Sequence, residues 1–123
     1  MPDMVSVRIG TAFVPVTDIE ESARWYGDMF GFRIMSVDGW SAVLSPQADH
    51  GARLTLLGPA SGIPVSAGLP WATCNLVVDD LAKARLLLES HGCEVGEITG
   101  APDVCLFFTT RDPDGNTVLV CDR

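Results

Sequence analysis

The sequence is poor in basic residues, and lysine is almost absent. Its 123 residues include eight Lys and Arg against sixteen Asp and Glu, and Lys83 is the single lysine. The formal net charge of −8 argues against a nucleic-acid partner, because phosphate backbones are bound by basic patches. An acidic surface is compatible with a cationic ligand, but it also serves simple solubility. Net charge alone therefore excludes one class of partner without choosing another.

Long apolar runs and closely spaced cysteines are also missing. No apolar run reaches the roughly 18 residues that a membrane-spanning helix needs, and residues 1–4 carry no secretory signal. The cysteines form no Cys-x-x-Cys pair and stand apart in the sequence, at Cys74, Cys93, Cys105 and Cys121. We therefore expect reduced thiols and a cytoplasmic protein without membrane contact.

Familiar catalytic motifs are absent as well. The sequence contains no phosphate-binding loop, no Rossmann fingerprint and no Ser-His-Asp set. His50 lies in a polar loop with no partner at ligand spacing, and His91 ends a predicted helix, where it favours capping over catalysis. Asp112 and Asp114 belong to a predicted turn, where carboxylates bond local backbone amides. We assign no catalytic residue from the sequence.

What the chain does contain is an internal repeat. Five residues of the first half align with residues about 62 positions later: Thr11, Val14, Val16, Asp18 and Ile19 with Thr73, Leu76, Val78, Asp80 and Leu81. A repeat of this size predicts two similar modules packed with pseudo-twofold symmetry. A site shared by the modules would be built from equivalent positions in each.

Each half has the same predicted order of elements. Hydrophobic periodicity, helix-start signals and turn residues predict the elements of each half. In the first half they predict a helix at 18–30 and strands at 9–16, 33–37, 40–45 and 52–57. In the second half they predict a helix from 79/80 to about 91 and strands at 72–78, 93–98, 104–110 and 116–121. This pattern predicts an α+β fold with two βαβββ modules in a curved, cup-shaped mixed sheet and with the helices outside. We expect one domain over 1–123, with module one at about 8–58, a linker at 58–70 and module two at about 71–122.

Three motifs resemble the vicinal-oxygen-chelate superfamily. This superfamily includes glyoxalase I, ring-cleaving dioxygenases, fosfomycin-resistance enzymes and the bleomycin- and mitomycin-binding resistance proteins. Residues 16–26 and Phe30-Gly-Phe32 resemble the junction of the first strand with the first helix and the end of that helix. Residues 77–81 resemble the corresponding junction in the second module, and residues 111–116 resemble the turn before the last strand. The resemblance spans nearly the whole chain and implies the fold, but the superfamily hosts many chemistries.

The resemblance also marks where metal-dependent members hold a divalent cation, usually with His or Glu on the first and fourth strands of each module. In this sequence these positions are occupied by Thr11, Thr55, Thr73 and Leu119. Divalent transition metals take imidazole, carboxylate or thiolate ligands, so neither threonine nor leucine suits them. The resemblance therefore implies a protein with no metal and no other cofactor, similar to the antibiotic-binding members.

Strand alternation and the positions of the aromatic residues predict a ligand-binding set for the cup. The set is Thr11, Phe13, Trp40, Thr55, Trp71, Thr73, Asn75, Phe108, Leu119 and Cys121. Apolar and aromatic walls with a few hydroxyls suit a small organic ligand, aromatic or carrying a cationic group. Any single threonine is explained by its β propensity alone, but threonine at both symmetry-related positions favours a role in the cup.

We therefore predict a metal-free small-molecule-binding protein that sequesters an antibiotic-like or aromatic metabolite. The alternative is a lyase, isomerase or dioxygenase with a displaced metal site, which would draw ligands from His50, Asp103 or Cys121. A subunit or regulatory protein without a ligand is a third reading. The resemblance implies a homodimer, and the sequence leaves open whether the cup forms within one chain or across two.

Overall fold

The computed structural model describes residues 5–47 and 51–123. The first module comprises β1 (Thr11–Pro15), α1 (Ile19–Phe30), β2 (Arg33–Val37), β3 (Ser41–Ser45) and β4 (Arg53–Leu57). A short 3₁₀ helix at Pro59–Ser61 opens the connection to the second module. That module comprises β5 (Asn75–Val77), α2 (Leu81–Ser90), β6 (Thr99–Ala101), β7 (Cys105–Arg111) and β8 (Thr117–Cys121). His50, one of the candidate ligands of the alternative function, lies outside the described residues.

The modules have the same topology, which confirms the predicted α+β fold of two βαβββ units. The first sheet has the order β1-β4-β3-β2 and the second the order β5-β8-β7-β6. In both sheets the first and last strands of the module pair in parallel, while the other neighbours are antiparallel. Each sheet is open, with one face turned to the helices and the opposite face uncovered. We call the latter the open face of each module.

Both helices begin at an aspartate that follows a strand. Asp18 accepts a hydrogen bond from the Glu21 amide at 3.0 Å, and Asp80 accepts one from the Lys83 amide at 3.0 Å. Each bond satisfies one of the amides left unpaired in a first helical turn. The first helix then ends at Gly31, whose φ of 73° lies in the left-handed region that glycine adopts easily. No helix of the described residues is long and apolar enough to cross a bilayer.

Replacing Asp18 by alanine is expected to lower the free energy of unfolding by about 1 kcal/mol, since it removes this cap from α1. Urea denaturation followed by circular dichroism measures the loss. Asp28→Ala is the matched control, because Asp28 is exposed near the other end of the same helix. Equal losses in both variants would show that the cap contributes nothing special.

One hydrophobic core contains residues of both modules. Val14 and Leu54 from the first sheet and Phe108 and Val120 from the second all belong to it. The two helices contact each other and supply Ala23, Tyr26, Met29, Leu81 and Leu88 to the same cluster. The helix-facing sides of both sheets are therefore buried together, which leaves the opposite sides free to form sites.

A buried polar cluster joins the modules at one end of this core. The Asp112 carboxylate accepts hydrogen bonds from the Tyr26 hydroxyl at 2.9 Å and from the Asn116 side-chain amide at 2.9 Å. The same Asn116 amide donates to the Pro15 carbonyl at 2.8 Å. Burial and the neighbouring Asp112 carboxylate raise the pKa of Tyr26 well above its ordinary value of 10.0. We call Tyr26, Asp112 and Asn116 the intermodule cluster.

Asn116 also fixes the connection between the modules. Its side-chain oxygen accepts hydrogen bonds from the Gly68 and Leu69 amides, both at 2.8 Å. Nearby, Asp114 accepts bonds from the backbone amide and the hydroxyl of Thr17. The turn at residues 112–116 thus binds the end of β1, helix α1 and the connecting segment together.

The strand predicted at 93–98 is wrong, because β6 lies at Thr99–Ala101. Before β6, the chain forms only one isolated bridge, between Val95 and Thr110. The Glu94 carbonyl accepts from the Thr110 hydroxyl at 2.6 Å and the Gly96 carbonyl from Arg85 at 2.8 Å. Two backbone carbonyls that would accept hydrogen bonds from a neighbouring strand therefore accept them from side chains instead. The strand predicted at 72–78 is likewise shorter, since β5 begins only at Asn75.

Candidate functional site

The open face of the first module presents two threonines that bond to each other. The Thr11 and Thr55 hydroxyl oxygens lie 2.8 Å apart. The Thr11 hydroxyl is also 2.9 Å from the Arg53 carbonyl oxygen, to which it can donate a hydrogen bond. Thr55 is buried, whereas Phe13, directly opposite it in the parallel ladder, is 52% exposed. The structure therefore brings three of the predicted binding residues together on one face.

The parallel ladders place the two modules in the same register. Phe13 pairs with Thr55 in the first module, and Asn75 pairs with Leu119 in the second. Thr55 and Leu119 are therefore structural equivalents, as the repeat and the resemblance implied. The equivalent side chains differ, however: one module offers a hydroxyl where the other offers an isobutyl group.

The open face of the second module carries three more of the predicted residues. Asn75 is exposed, Leu119 is half-buried, and Cys121 is 3% exposed beneath them. Burial raises the pKa of the Cys121 thiol, and a hydrogen bond from Asn75 offsets this only in part. A thiol with a raised pKa is a poor nucleophile near neutral pH, which favours packing over reactivity.

Trp71 and Thr73 precede β5 and are both exposed. Together they border a cavity of about 20 Å³ at the junction of the modules, which has room for about one water molecule. Trp71 also lines a groove of about 340 Å³ over the second sheet, beside Thr109, Arg111 and Thr117. Trp71 therefore lines a groove of ligand size in the second module.

Trp40 lies at the far end of the first sheet. Its amide donates to Asp38 in the β2–β3 turn, a bond that lowers the pKa of the Asp38 carboxyl, and its carbonyl accepts from Gly58. Trp40 is half-exposed there, next to the end of β4 that carries Leu57 and not to the Thr11–Thr55 pair.

Phe108 does not line the open face. It is 1% exposed in the shared core and pairs with buried Val120. Alternation along β7 places Phe107 and Thr109 on the open face instead, since these residues pair with Cys121 and Leu119. The prediction for Phe108 is therefore wrong by one residue. Successive side chains of a strand point to opposite faces, so a shift of one residue places the side chain on the other face.

Two arginines beside the threonine pair were absent from the predicted set. Arg8 and Arg53 line a groove of about 840 Å³ on the open face of the first module, together with Ile9, Gly10, Thr11, Val43, Gly51, Ala52 and Thr55. Arg53 had a usable signal, because it stands two residues before Thr55 and so shares its face. Arg8 had none, because it precedes the first strand.

A family model for the glyoxalase/bleomycin resistance protein/dioxygenase superfamily matches residues 8–120. The chain belongs to this superfamily. The match covers most of both modules and nine of the ten predicted binding residues, all except Cys121. A search of curated proteins finds no significant sequence match to the chain.

Solved structures of the superfamily have the same fold. A bleomycin resistance determinant encoded on the transposon Tn5 has a TM-score of 0.70 at 21% identity, covering 95% of this chain and 98% of that one. TnmS3, an antibiotic binding protein from a Streptomyces species, has a TM-score of 0.77 at 22% identity, with coverages of 95% and 96%. Lactoylglutathione lyase from Agrobacterium tumefaciens has a TM-score of 0.72 at 19% identity, with coverages of 94% and 93%. These similarities show the fold, which a bleomycin resistance determinant, an antibiotic binding protein and a lyase share.

The superfamily raises the question of a metal, and the side chains at the equivalent positions do not suit one. The Thr11 and Thr55 hydroxyls are engaged with each other and with a backbone carbonyl, and Leu119 has no donor atom. Transition metals prefer imidazole, carboxylate or thiolate groups. Within residues 5–47 and 51–123, no three His, Cys, Asp or Glu side chains come together to hold a cation.

Proposed function

We propose that this protein is a metal-free small-molecule-binding member of the superfamily, which sequesters an antibiotic-like or aromatic metabolite on the open faces of its sheets. The observation that carries the proposal is the side-chain chemistry at the equivalent positions. The threonine hydroxyls and the Leu119 isobutyl group there, with the Asn75 amide beside Leu119, can orient an organic molecule, but they offer no strong metal ligand. Binding by sequestration needs only such a surface.

The dimensions of the first-module groove support this function. Its volume of about 840 Å³ falls within the range of small-molecule sites, and apolar Ile9 and Val43 line it beside the polar threonines. Trp71 adds an aromatic face in the second module and is 76% exposed. A planar ligand would gain stacking energy against this indole.

We further propose that the protein acts as a homodimer in the cytoplasm. The apolar side chains that are more than half exposed on or beside the open faces include Phe13, Trp71 and Val77. Exposed apolar groups of this kind are commonly covered in an interface. A second copy would cover them and close the groove over a ligand. Sedimentation equilibrium of the full chain tests this assembly.

Tryptophan fluorescence tests ligand binding directly. A panel of aromatic compounds, including bleomycin- and mitomycin-type drugs, is expected to shift or quench the emission of the purified protein. The Trp71→Phe variant should lose most of this response, while Trp40→Phe, at the far end of the first sheet, should retain it. Absence of a response across the panel would count against a binding function.

Elemental analysis separates the proposal from an enzymatic alternative. Protein purified without chelators is expected to contain zinc, nickel, manganese and iron only in trace amounts. A stoichiometric metal would overturn the metal-free proposal and favour a lyase, isomerase or oxygenase with ligands away from the equivalent positions.

A further inference from the structure

We infer that the groove on the open face of the first module binds the anionic group of its ligand, a carboxylate or a phosphate, through Arg8 and Arg53. The inference rests on the proposed binding function and adds the chemical class of the ligand. It differs from the cationic ligand that the net charge alone permitted. The two arginines, the Thr11–Thr55 pair and the apolar groove wall form this candidate anion site.

The two arginines reach the groove from neighbouring segments. Arg53 begins β4 opposite Thr11, and alternation places it on the same face as Thr55. Arg8 stands three residues before Thr11, in the segment that leads into β1, and it lines the same groove. The Arg53 amide donates to the Gly10 carbonyl at 3.1 Å, which ties the two segments together. The groove is therefore lined by two arginines at one end of a sheet.

The local charge of the groove is opposite to that of the whole protein. The chain has twice as many acidic as basic residues, yet the charged side chains among the described groove residues are both arginines. Neither arginine forms a salt bridge with any residue of the described ranges. By contrast, Arg111 beside the second-module groove pairs with Glu94 at 3.5 Å. Among the described residues, no carboxylate thus neutralises the positive charge of the first groove.

The threonine pair supplies shape and acceptors, and the arginines supply donors. When Thr11 donates to the Arg53 carbonyl, Thr55 donates to Thr11, and both hydroxyl protons are used within the protein. No hydrogen bond within residues 5–47 and 51–123 uses the five guanidinium N–H groups of either arginine, and their planar arrangement matches carboxylate and phosphate oxygens. Cationic ligands have no comparable partner among the described residues that line this groove.

The acidic remainder of the protein does not cancel this preference. Charges separated by more than a Debye length, about 8 Å at physiological ionic strength, are largely screened. A group held against the arginines meets them at hydrogen-bond distance, where charge-assisted bonds are short and strong. Apolar Ile9 and Val43 line the same groove and favour an organic body attached to the anion.

Four probes with one ring and different charges test the inference. We would titrate the ¹⁵N-labelled full chain with benzoate, phenyl phosphate, benzylamine and benzyl alcohol and follow the amide signals of Gly10, Thr11 and Thr55. Benzoate, phenyl phosphate or both should bind at least about tenfold more tightly than the neutral and cationic probes, because charge-assisted bonds are about twice as strong as neutral ones. A response to one anion alone identifies the carboxylate or the phosphate as the recognised group.

Matched variants assign the effect to the groove. Arg53→Gln is expected to weaken binding of the anionic probe about tenfold, and added salt should weaken it further. Arg24→Gln, an exposed change of equal charge on α1, should leave the affinity unchanged. Equal binding of all four probes together with an unaffected Arg53→Gln variant would overturn the anion inference while the proposed binding function stands. Silence with these probes and with the wider fluorescence panel would overturn both.

Discussion

The Asn116→Ala variant is expected to lose about 3 kcal/mol of stability, among the largest effects of any single change in this chain. Asn116 uses both amide hydrogens and its oxygen, since it bonds to Pro15, Asp112, Gly68 and Leu69. The side chain is 2% exposed, so alanine would leave a buried carboxylate and a buried carbonyl each short of a donor. Unsatisfied buried groups of this kind cost about 1–3 kcal/mol apiece.

Urea denaturation of the wild-type chain and the variant measures this loss. Asn75→Ala is the matched control, because it makes the same change at an exposed position on the open face. It should shift the stability by no more than about 0.5 kcal/mol. A loss below about 1 kcal/mol for Asn116→Ala, close to that of the control, would mean that water or backbone adjustment replaces the lost bonds.

The protein is expected to lose stability steeply above pH 10 because of Tyr26. This residue is the single tyrosine, and its hydroxyl donates to buried Asp112. Its pKa in the folded state is raised above the value of 10.0 that it has when unfolded. The unfolded state therefore releases a proton that the folded state keeps, so the contribution is complete below pH 10 and falls as the pH rises. The slope from this one group is about 1.4 kcal/mol per pH unit.

Alkaline titration can follow this group without interference from other tyrosines. Tyrosinate absorbance should appear together with the loss of circular dichroism, and not as a separate step near pH 10. Tyr26→Phe should be less stable at neutral pH, because it removes a buried hydrogen bond, and its stability should fall less steeply above pH 10. Burial also raises the pKa values of the half-buried Cys74 thiol and the buried Cys121 thiol, so both proteins keep an alkaline loss of stability from these thiols. Ionisation of Tyr26 near pH 10 in the intact fold would contradict the prediction.

Sequence reasoning predicted the architecture because the signals of this fold are local. Asp18 and Asp80 cap helices where the repeat places them, and Gly31 ends the first helix. The prediction of a strand at 93–98 was wrong because of contacts with residues that are distant in the sequence. Arg85 and Thr110 occupy carbonyls of that segment from other elements, and no periodicity in residues 93–98 reports those bonds.

The candidate site was less accessible from sequence, because it depends on the phase and the neighbours of each strand. Thr11, Thr55, Asn75 and Leu119 follow from the repeat and its register, and their placement agrees with alternation. The prediction for Phe108 is wrong because β7 contains no residue of the aligned repeat that would indicate which side chains face the helices. Arg8 could not be found at all, since it reaches the groove from a segment with no regular structure.

The intermodule cluster has a consequence for how the chain acquires its structure. The bond from Asn116 to Pro15 joins residues 101 positions apart, and that from Thr17 to Asp114 joins residues 97 apart. Closing such long loops costs conformational entropy before any contact repays it, whereas hairpins and helices form from near neighbours. We therefore expect the local hairpins and helices to form before these long-range bonds, and the docking of the two halves to be a late step of folding. The turn at residues 112–116 is held locally, because Asp112 accepts hydrogen bonds from the Asp114 and Asn116 amides. We expect this preformed turn to join the two halves when they dock.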